Sequence, residues 1–547
     1  MSLRPQTPGS IPTETDRVAK AAFPQSNAYM KMRDELGVFF SDEQFAQLFS
    51  SRGQPALCPW RLALVTIMQF AENLTDRQAA DAVRSRIDIK YVLGLELTDP
   101  GFNYSVLSEF RSRLIDGGTE HLLFETMLTR FVEKGLLSAY GKQRTDSTHI
   151  LAAIRTLTRL ELVTETLTHT LNVLATLAPD WLKSWVPADW FTKYERQLDE
   201  YRLPQEKQER TAFAQALGTD GHRLLWEIYS QNAPEHLHSI EAVETMRAIW
   251  VQQYYIEEEQ VFWREKGNIP SSTVMISSPH DTDARYSSKR STIAWVGYKM
   301  HLTETCEKDC PNLITNVQTT LATDGDSSVV EKIHQELDES LLLPAEHLAS
   351  MGYGSTDLLR DSQKNYGINF ICPMRPDNSW QARTEGAFDM THFQIDWDKK
   401  KVTCPQSKSS IYWENTKWYD KRKIRVKFDN ADCGSCPSKH RCTRSRLGHR
   451  ELSFAPQQDF SILHKAREHQ KTPEFKDRYA LRAGIEGTIS QSVFALGMRQ
   501  CRYRGMEKTH LQQVLTACAI NFKRAADWFF DKPRSQTRTS RFAALAA

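Results

Sequence analysis

Three rhythms of apolar and polar positions divide the chain. The first, from about residue 30 to 140, is helical. Behind Pro59, a residue suited to the first helical position, come Leu62, Leu64, Val65, Ile67, Met68 and Phe70. Thr75 and Gln78 have the spacing of a capping box and predict a second helix through Ala79, Ala82 and Val83. Ser105 predicts the cap of a third, carrying Phe110, Arg111, Arg113 and Leu114. Short helices ending in a basic one fit a helix-turn-helix DNA reader, and they also fit a helical bundle with a solvated basic face. The Pro-, Ser- and Thr-rich residues 1–30 predict a flexible lead.

The second rhythm is a long helical stretch over 151–265, where Leu160, Leu167, Leu171 and Leu174 recur as a core-facing stripe. The third alternates strands with helices. A strand is predicted at 142–150 with Asp146 near its middle, ahead of the helical stretch. From about 274, Val296, Tyr298, Met300 and Leu302 alternate with Trp295, Gly297, Lys299 and His301. Strands at 313–320, 346–350 and 368–373 then bracket helices at 327–340 and 355–366. This is an α/β core, with a ligand site expected at strand ends. The predicted segments are 31–140 (all-α), 141–150 with 266–384 (core), 151–265 (helical insertion), 385–455 (a cysteine-bearing basic insert), 456–531 (core completion, mostly helical) and 532–547 (a basic tail).

The 547 residues carry 70 Lys or Arg against 68 Asp or Glu, so net charge alone announces no nucleic-acid or membrane partner. The N-terminus has no signal-peptide core and no apolar run approaches about 18 residues, so a cytoplasmic protein with no membrane partner is expected. Locally the balance changes. Residues 421–450 hold ten Lys or Arg and two acids, behind Trp413, Trp418 and Tyr419. Basic and aromatic residues together suit phosphate contact and base stacking, the alternative being a solvated basic face. Arg499, Arg502, Arg504 and Lys508 make a second basic cluster.

Cys433 and Cys436 form a C-x-x-C, with Cys442 behind and Cys404 upstream. Four thiolates on two knuckles are the donor set of a structural zinc; free or redox thiols are the other reading. Asp146 inside a strand needs a reason, because buried carboxylates are costly. Tyr479, Arg482 and Glu486 stand at i, i+3 and i+7, one face of a helix, where Arg and Glu can position a phosphate and a cation or simply form a surface ion pair.

Together, Asp146, the SPHDTDARY and WVGYKMHLTET segments, the CP…CGSCP…C insert, the Tyr479–Arg482–Glu486 spacing and CRYRGMEKTHLQQVLTACAIN resemble bacterial insertion-sequence transposases of the DDE class, over about residues 30–530. The resemblance implies an RNase H-like core, a five-stranded mixed sheet flanked by helices. It implies three acids binding two Mg²⁺ or Mn²⁺ ions, with water and then a DNA 3′-OH attacking phosphodiesters. Asp146 matches the first acid and Glu486 the third, with Tyr479 and Arg482 as companions. Val493 stands where a Lys follows the Glu, leaving Arg499 as a substitute. Ser350 stands where the second Asp belongs, two residues before Gly352-Tyr353; Asp357, Asp324 and Asp326 are the nearby acids. The implied outcome is either an active transposase or a catalytically impaired DNA-binding relative. Its partners would be double-stranded DNA (terminal inverted repeats and target) and a second copy of the chain, in association with the nucleoid. Arg111, Arg113, Lys299, Arg422, Arg425, Arg444, Arg499, Arg502 and Arg504 are the expected DNA contacts.

Overall fold

A computed structural model describes residues 1–195, 203–204, 206–289, 293–419, 421–533, 541–542 and 545. The chain divides into two compact units, each made of separated pieces. One comprises Met1–Ser138, Asp146–Asp324 and Ile485–Ala547; the other, Ala139–Thr145 and Gly325–Gly484.

In the first unit the N-terminal helices form where the apolar rhythm predicts. Pro59 opens the helix Pro59–Ala71, and Thr75 with Gln78 closes a capping box on Asp76–Ser85. Ser105 is not a cap. It is the first residue of the helix Ser105–Asp116, and its amide donates to Asn103 Oδ1 at 3.0 Å. Nearly every residue of Pro59–Ala71 is buried, because the last long helix, Met506–Phe529, packs beside it. Phe522 of that helix meets the rings of Tyr29 and Phe39 at 5.6 and 6.2 Å. The expected flexible lead is instead built into this domain. Thr13–Ala22 is a helix, the buried Thr15 hydroxyl donates to the Leu95 carbonyl at 2.7 Å, and Ser2 bonds Gly53 and Gln54.

The helical insertion folds around its leucine stripe, with Leu160, Leu167 and Leu174 buried in a core shared with Leu217, Leu224 and Trp250. Helix does not continue to 265. After Glu241–Gln253 the chain turns through a hairpin, Tyr254–Glu257 against Gln260–Trp263. The acidic run ends it: Glu258 and Glu259 have φ of +47° and +62°, the left-handed turn geometry. Among the described residues no helix is long and apolar enough to cross a membrane. Lys532 pairs with Asp527 at 2.9 Å. Most of the expected basic tail, Arg534 and Arg538 included, lies outside the described residues.

Six strands carry the α/β core: β1 Lys142–Leu151, β2 Arg285–Lys289, β3 Ile293–Thr305, β4 Ile314–Leu321, β5 Glu346–Ala349 and β6 Asn369–Ile371. In the first unit, β3 pairs antiparallel with β2 and with β4 and also neighbours β1. In the second, β1 pairs parallel with β5 from Lys142↔Glu346 to Thr145↔Ala349, and β5 pairs parallel with β6. Helices Val330–Glu339 and Thr356–Tyr366 make the crossovers, the latter capped by Ser355. An antiparallel group around β3 and a parallel group around β5 make this the mixed α/β architecture expected of an RNase H-like core.

The cysteine-bearing insert has its own three-stranded antiparallel sheet: β7 Tyr412–Trp418, β8 Lys421–Lys427 and β9 Glu451–Phe454. Val402, Val426, Phe428 and Phe454 form its small core.

Candidate active site and nucleic-acid surface

Asp146 lies within β1 and is 8% exposed; its Oδ1 accepts from the Ser147 amide at 2.9 Å. The strand is fastened on either side of it. One residue before, Thr145 Oγ1 lies 2.6 Å from His347 Nε2. Two residues before, Arg144 Nη1 donates to the Leu481 carbonyl at 2.6 Å. Two residues after, Thr148 accepts from Arg499, which also donates to the His149 carbonyl. The strand end is bridged by Leu151 N to Arg499 O and Cys501 N to Leu151 O, both 2.8 Å.

Glu486 is exposed, the second residue of the helix Ile485–Ser490. That helix is held by a buried network. Thr488 Oγ1 donates to Glu304 Oε2 at 2.5 Å, and Arg524 bonds Glu304 and Thr488 at 2.7 Å each. Glu304 is fully buried in β3, so one cation neutralises a carboxylate that would otherwise be costly there. No α-helix runs unbroken through Tyr479, Arg482 and Glu486. Tyr479 lies in the last turn of the α-helix Pro473–Ala480, Arg482 in a 3₁₀ turn, Leu481–Gly484, and Glu486 is the second residue of the next helix, Ile485–Ser490. The Leu481 carbonyl, which a regular helix would reserve for the amide four residues on, receives Arg144 instead. Gly484 makes room for that guanidinium: a Cβ there would stand 2.0 Å from Arg144 Nη1. Tyr479 stacks on Phe475, centroids 5.7 Å apart. Downstream, the chain widens into a π-turn at Gln491–Ala495 in which Val493, at the expected Lys position, is buried.

Ser350 follows β5 directly, as Asp146 follows Thr145, the β1 partner of Ala349. Of the three nearby acids, Asp326 reaches this turn: a Cβ on Gly352 would lie 2.8 Å from its Oδ2. Asp357 pairs with Arg360 at 3.3 Å. Asp324 Oδ2 accepts from its own turn, the Leu321 amide at 3.2 Å.

Several expected DNA contacts point inward. Arg111 is 6% exposed and pairs with Asp76 at 2.7 Å and Gln69 at 3.3 Å. Arg113 donates to the Leu48 carbonyl and lies over Phe49; Arg502 bonds Asn73 and Leu74 and lies over Phe70. Burial lowers the pKa of Arg499 and of Arg502, without making either a free surface cation. Lys299 Nζ donates to the Asp324 carbonyl at 2.5 Å. Arg422, Arg425, Arg444 and Arg504 are exposed, Arg425 paired to Glu451 at 2.7 Å and Arg444 over the Trp380 ring at 4.1 Å. Arg425 holds Glu451 well down, to about 2. Net charge along a sequence counts cations without saying which way they face, and Arg111 and Arg502 are turned toward partners within the fold.

Cys404, Cys433, Cys436 and Cys442 line one cavity of about 200 Å³ with Phe428 and Arg450. All four are free thiols, and burial raises Cys442 to about 11. The cavity gathers the predicted donor types, yet among the described residues no group of three or more His, Cys, Asp or Glu side chains is arranged to hold a metal ion, here or around Asp146.

The sequence reading missed Arg144, Arg524 and the buried pair His334 and His347. An Arg two residues ahead of a strand Asp, and an Arg three residues after the Asn521 of the last helix, were the available signals. Asn521 itself bonds both the amide and the carbonyl of Ile314, at 2.7 and 2.8 Å.

Two family models match the chain: the Transposase DDE domain over residues 403–526 and the Transposase domain (DUF772) over residues 17–113. No curated protein and no solved structure matches it.

Proposed function

We propose that this chain, matched by transposase family models over residues 403–526 and 17–113, is an insertion-sequence DDE transposase that cuts phosphodiesters at element ends and joins the freed 3′-OH to target DNA. The observation that carries this reading is the anchoring of its two matched acids within one unit: Asp146 on a strand fastened by Arg499, and Glu486 on a helix fastened by Glu304 and Arg524. Carboxylates are the donors that Mg²⁺ and Mn²⁺ take. Bound there, two such ions would supply charge stabilisation to attacking and leaving oxygens. The chain's own part is to orient Asp146 through the Ser147 amide and to hold Glu486 in place. Within the second unit Asp326, rather than Asp357, is the candidate for the carboxylate absent at Ser350. The support is its approach to Gly352, two residues after Ser350.

The reading extends to a homodimer on paired inverted repeats, with Arg422, Arg425, Arg444 and Arg504 on the DNA backbone. Cys404, Cys433, Cys436 and Cys442 are proposed to close on a structural zinc, supported by their shared cavity. Ser350 favours a second reading, a DNA-binding relative that has lost cleavage.

Incubation with element-end DNA and Mg²⁺ or Mn²⁺ separates the two. Nicking that disappears in Asp146→Ala, Glu486→Ala and Asp326→Asn, but persists in Asp357→Asn, supports the first. Tight end binding without nicking, with nicking restored by Ser350→Asp, establishes the second.

A further inference from the structure

The hairpin β7–β8 presents its aromatic tip to solvent. Its base is rooted: Ile424 and Val426 are buried, and Trp413 packs on Phe454 and Trp397, centroids 5.6 and 5.9 Å away. From there the pairing runs out to Trp418↔Lys421, leaving a two-residue connection. Trp418 is 68% and Tyr419 88% exposed, and their rings meet edge to face at 5.5 Å. Tyr419 has φ +47°. A positive φ of this size favours Asn, Asp or Gly, because a bulky side chain is strained there. A tyrosine held in that conformation contributes nothing to the core, so folding does not account for it. Around the two rings stand Lys417, Lys421 and Arg422, all exposed, and residues 415–428 carry six Lys or Arg against one acid, Asp420.

We propose that Trp418 and Tyr419 form a stacking wedge for unpaired DNA bases, with Lys417, Lys421 and Arg422 gripping the adjoining phosphates. This deepens the reading of the protein as a DNA-processing enzyme and rests on it. Exposed aromatic faces accept any base, and flanking cations supply the backbone attraction that fixes the rings on a strand. The occupant is therefore DNA opened at a nick, overhang or extruded base, not an intact duplex alone.

The test uses the full-length protein and two DNAs of one sequence, a blunt duplex and the same duplex with an overhang carrying 2-aminopurine beside the junction. Wild type is expected to bind the overhang DNA more tightly and to quench the 2-aminopurine. Trp418→Ala with Tyr419→Ala should weaken overhang binding about tenfold or more and abolish quenching, while duplex binding stays within about twofold. Trp418→Phe with Tyr419→Phe should restore both. Lys421→Ala with Arg422→Ala should weaken both DNAs and flatten the salt dependence. Equal overhang binding by the alanine variant and wild type, or a changed oligomeric state with DNA binding intact, overturns the wedge and leaves the DNA reading standing. Failure of wild type to bind either DNA overturns both.

Discussion

His347 Nε2 lies 2.6 Å from Thr145 Oγ1, tying a fully buried ring to the residue before Asp146. The other ring nitrogen of His347 lies 2.8 Å from His334 Nε2. Burial lowers both pKa values, His334 to about 4 and His347 well below its ordinary value. The unfolded chain, with histidines near 6.5, therefore binds more protons than the folded one below that pH, and stability is lost as pH falls. The expected slope is about 1.4 kcal/mol per pH unit for each histidine. Melting temperature should drop steadily from pH 6.5 to 5, and His347→Gln should shrink that drop by about half. A melting temperature that is flat across this window contradicts the assignment.

Gly297 lies where β3 passes β1. A Cβ there would stand 2.2 Å from the Ile150 carbonyl oxygen and 2.7 Å from the Ala152 amide nitrogen, backbone atoms that cannot swing aside. Gly297→Ala should cost more than about 3 kcal/mol or prevent folding. Gly267→Ala, with no atom within 4 Å of its new methyl, is the control and should melt as wild type does.

Removing Arg524 strands the buried Glu304 carboxylate. Arg524→Met should destabilise by about 3–5 kcal/mol, read in urea denaturation. Because Thr488 shares the network and lies two residues from Glu486, the same variant should lose nicking even below its melting temperature.

Arginines that face inward and outward should separate in one experiment. Arg111→Ala leaves Asp76 without its 2.7 Å partner and should lower the melting temperature while leaving the salt dependence of DNA binding unchanged. Arg422→Glu with Arg444→Glu should do the reverse, weakening binding to every sequence. If both variants alter the salt slope alike, the orientation argument fails.

Metal analysis tests the cysteine cavity. About one zinc per chain is expected in protein purified without chelator, falling away in Cys433→Ser with Cys436→Ser. Zinc-free protein that melts as a single cooperative unit would remove the zinc.

Where one stretch of chain decides its own conformation, the sequence was readable. The Thr75–Gln78 box, the leucine stripe from Leu160 to Leu174 and the strands around Asp146 and Tyr298 all form as their spacing requires. What escaped depends on distant residues. Arg144 acts 337 positions away at Leu481, so nothing between Tyr479 and Glu486 signals that their helix is interrupted. Thr15 is ordered by Leu95, and Arg111 is drawn inward by Asp76. At the candidate site the strand position of Asp146 was legible, but the approach of Asp326 to Gly352 needed the fold.

The last long helix has a genetic consequence. Tyr29, Phe39 and the helix Pro59–Ala71 are covered by Met506–Phe529, so the N-terminal domain completes its core only with the final part of the chain. A copy shortened by frameshift or stop codon would leave those residues bare. Such a shortened copy should fail to fold its N-terminal domain.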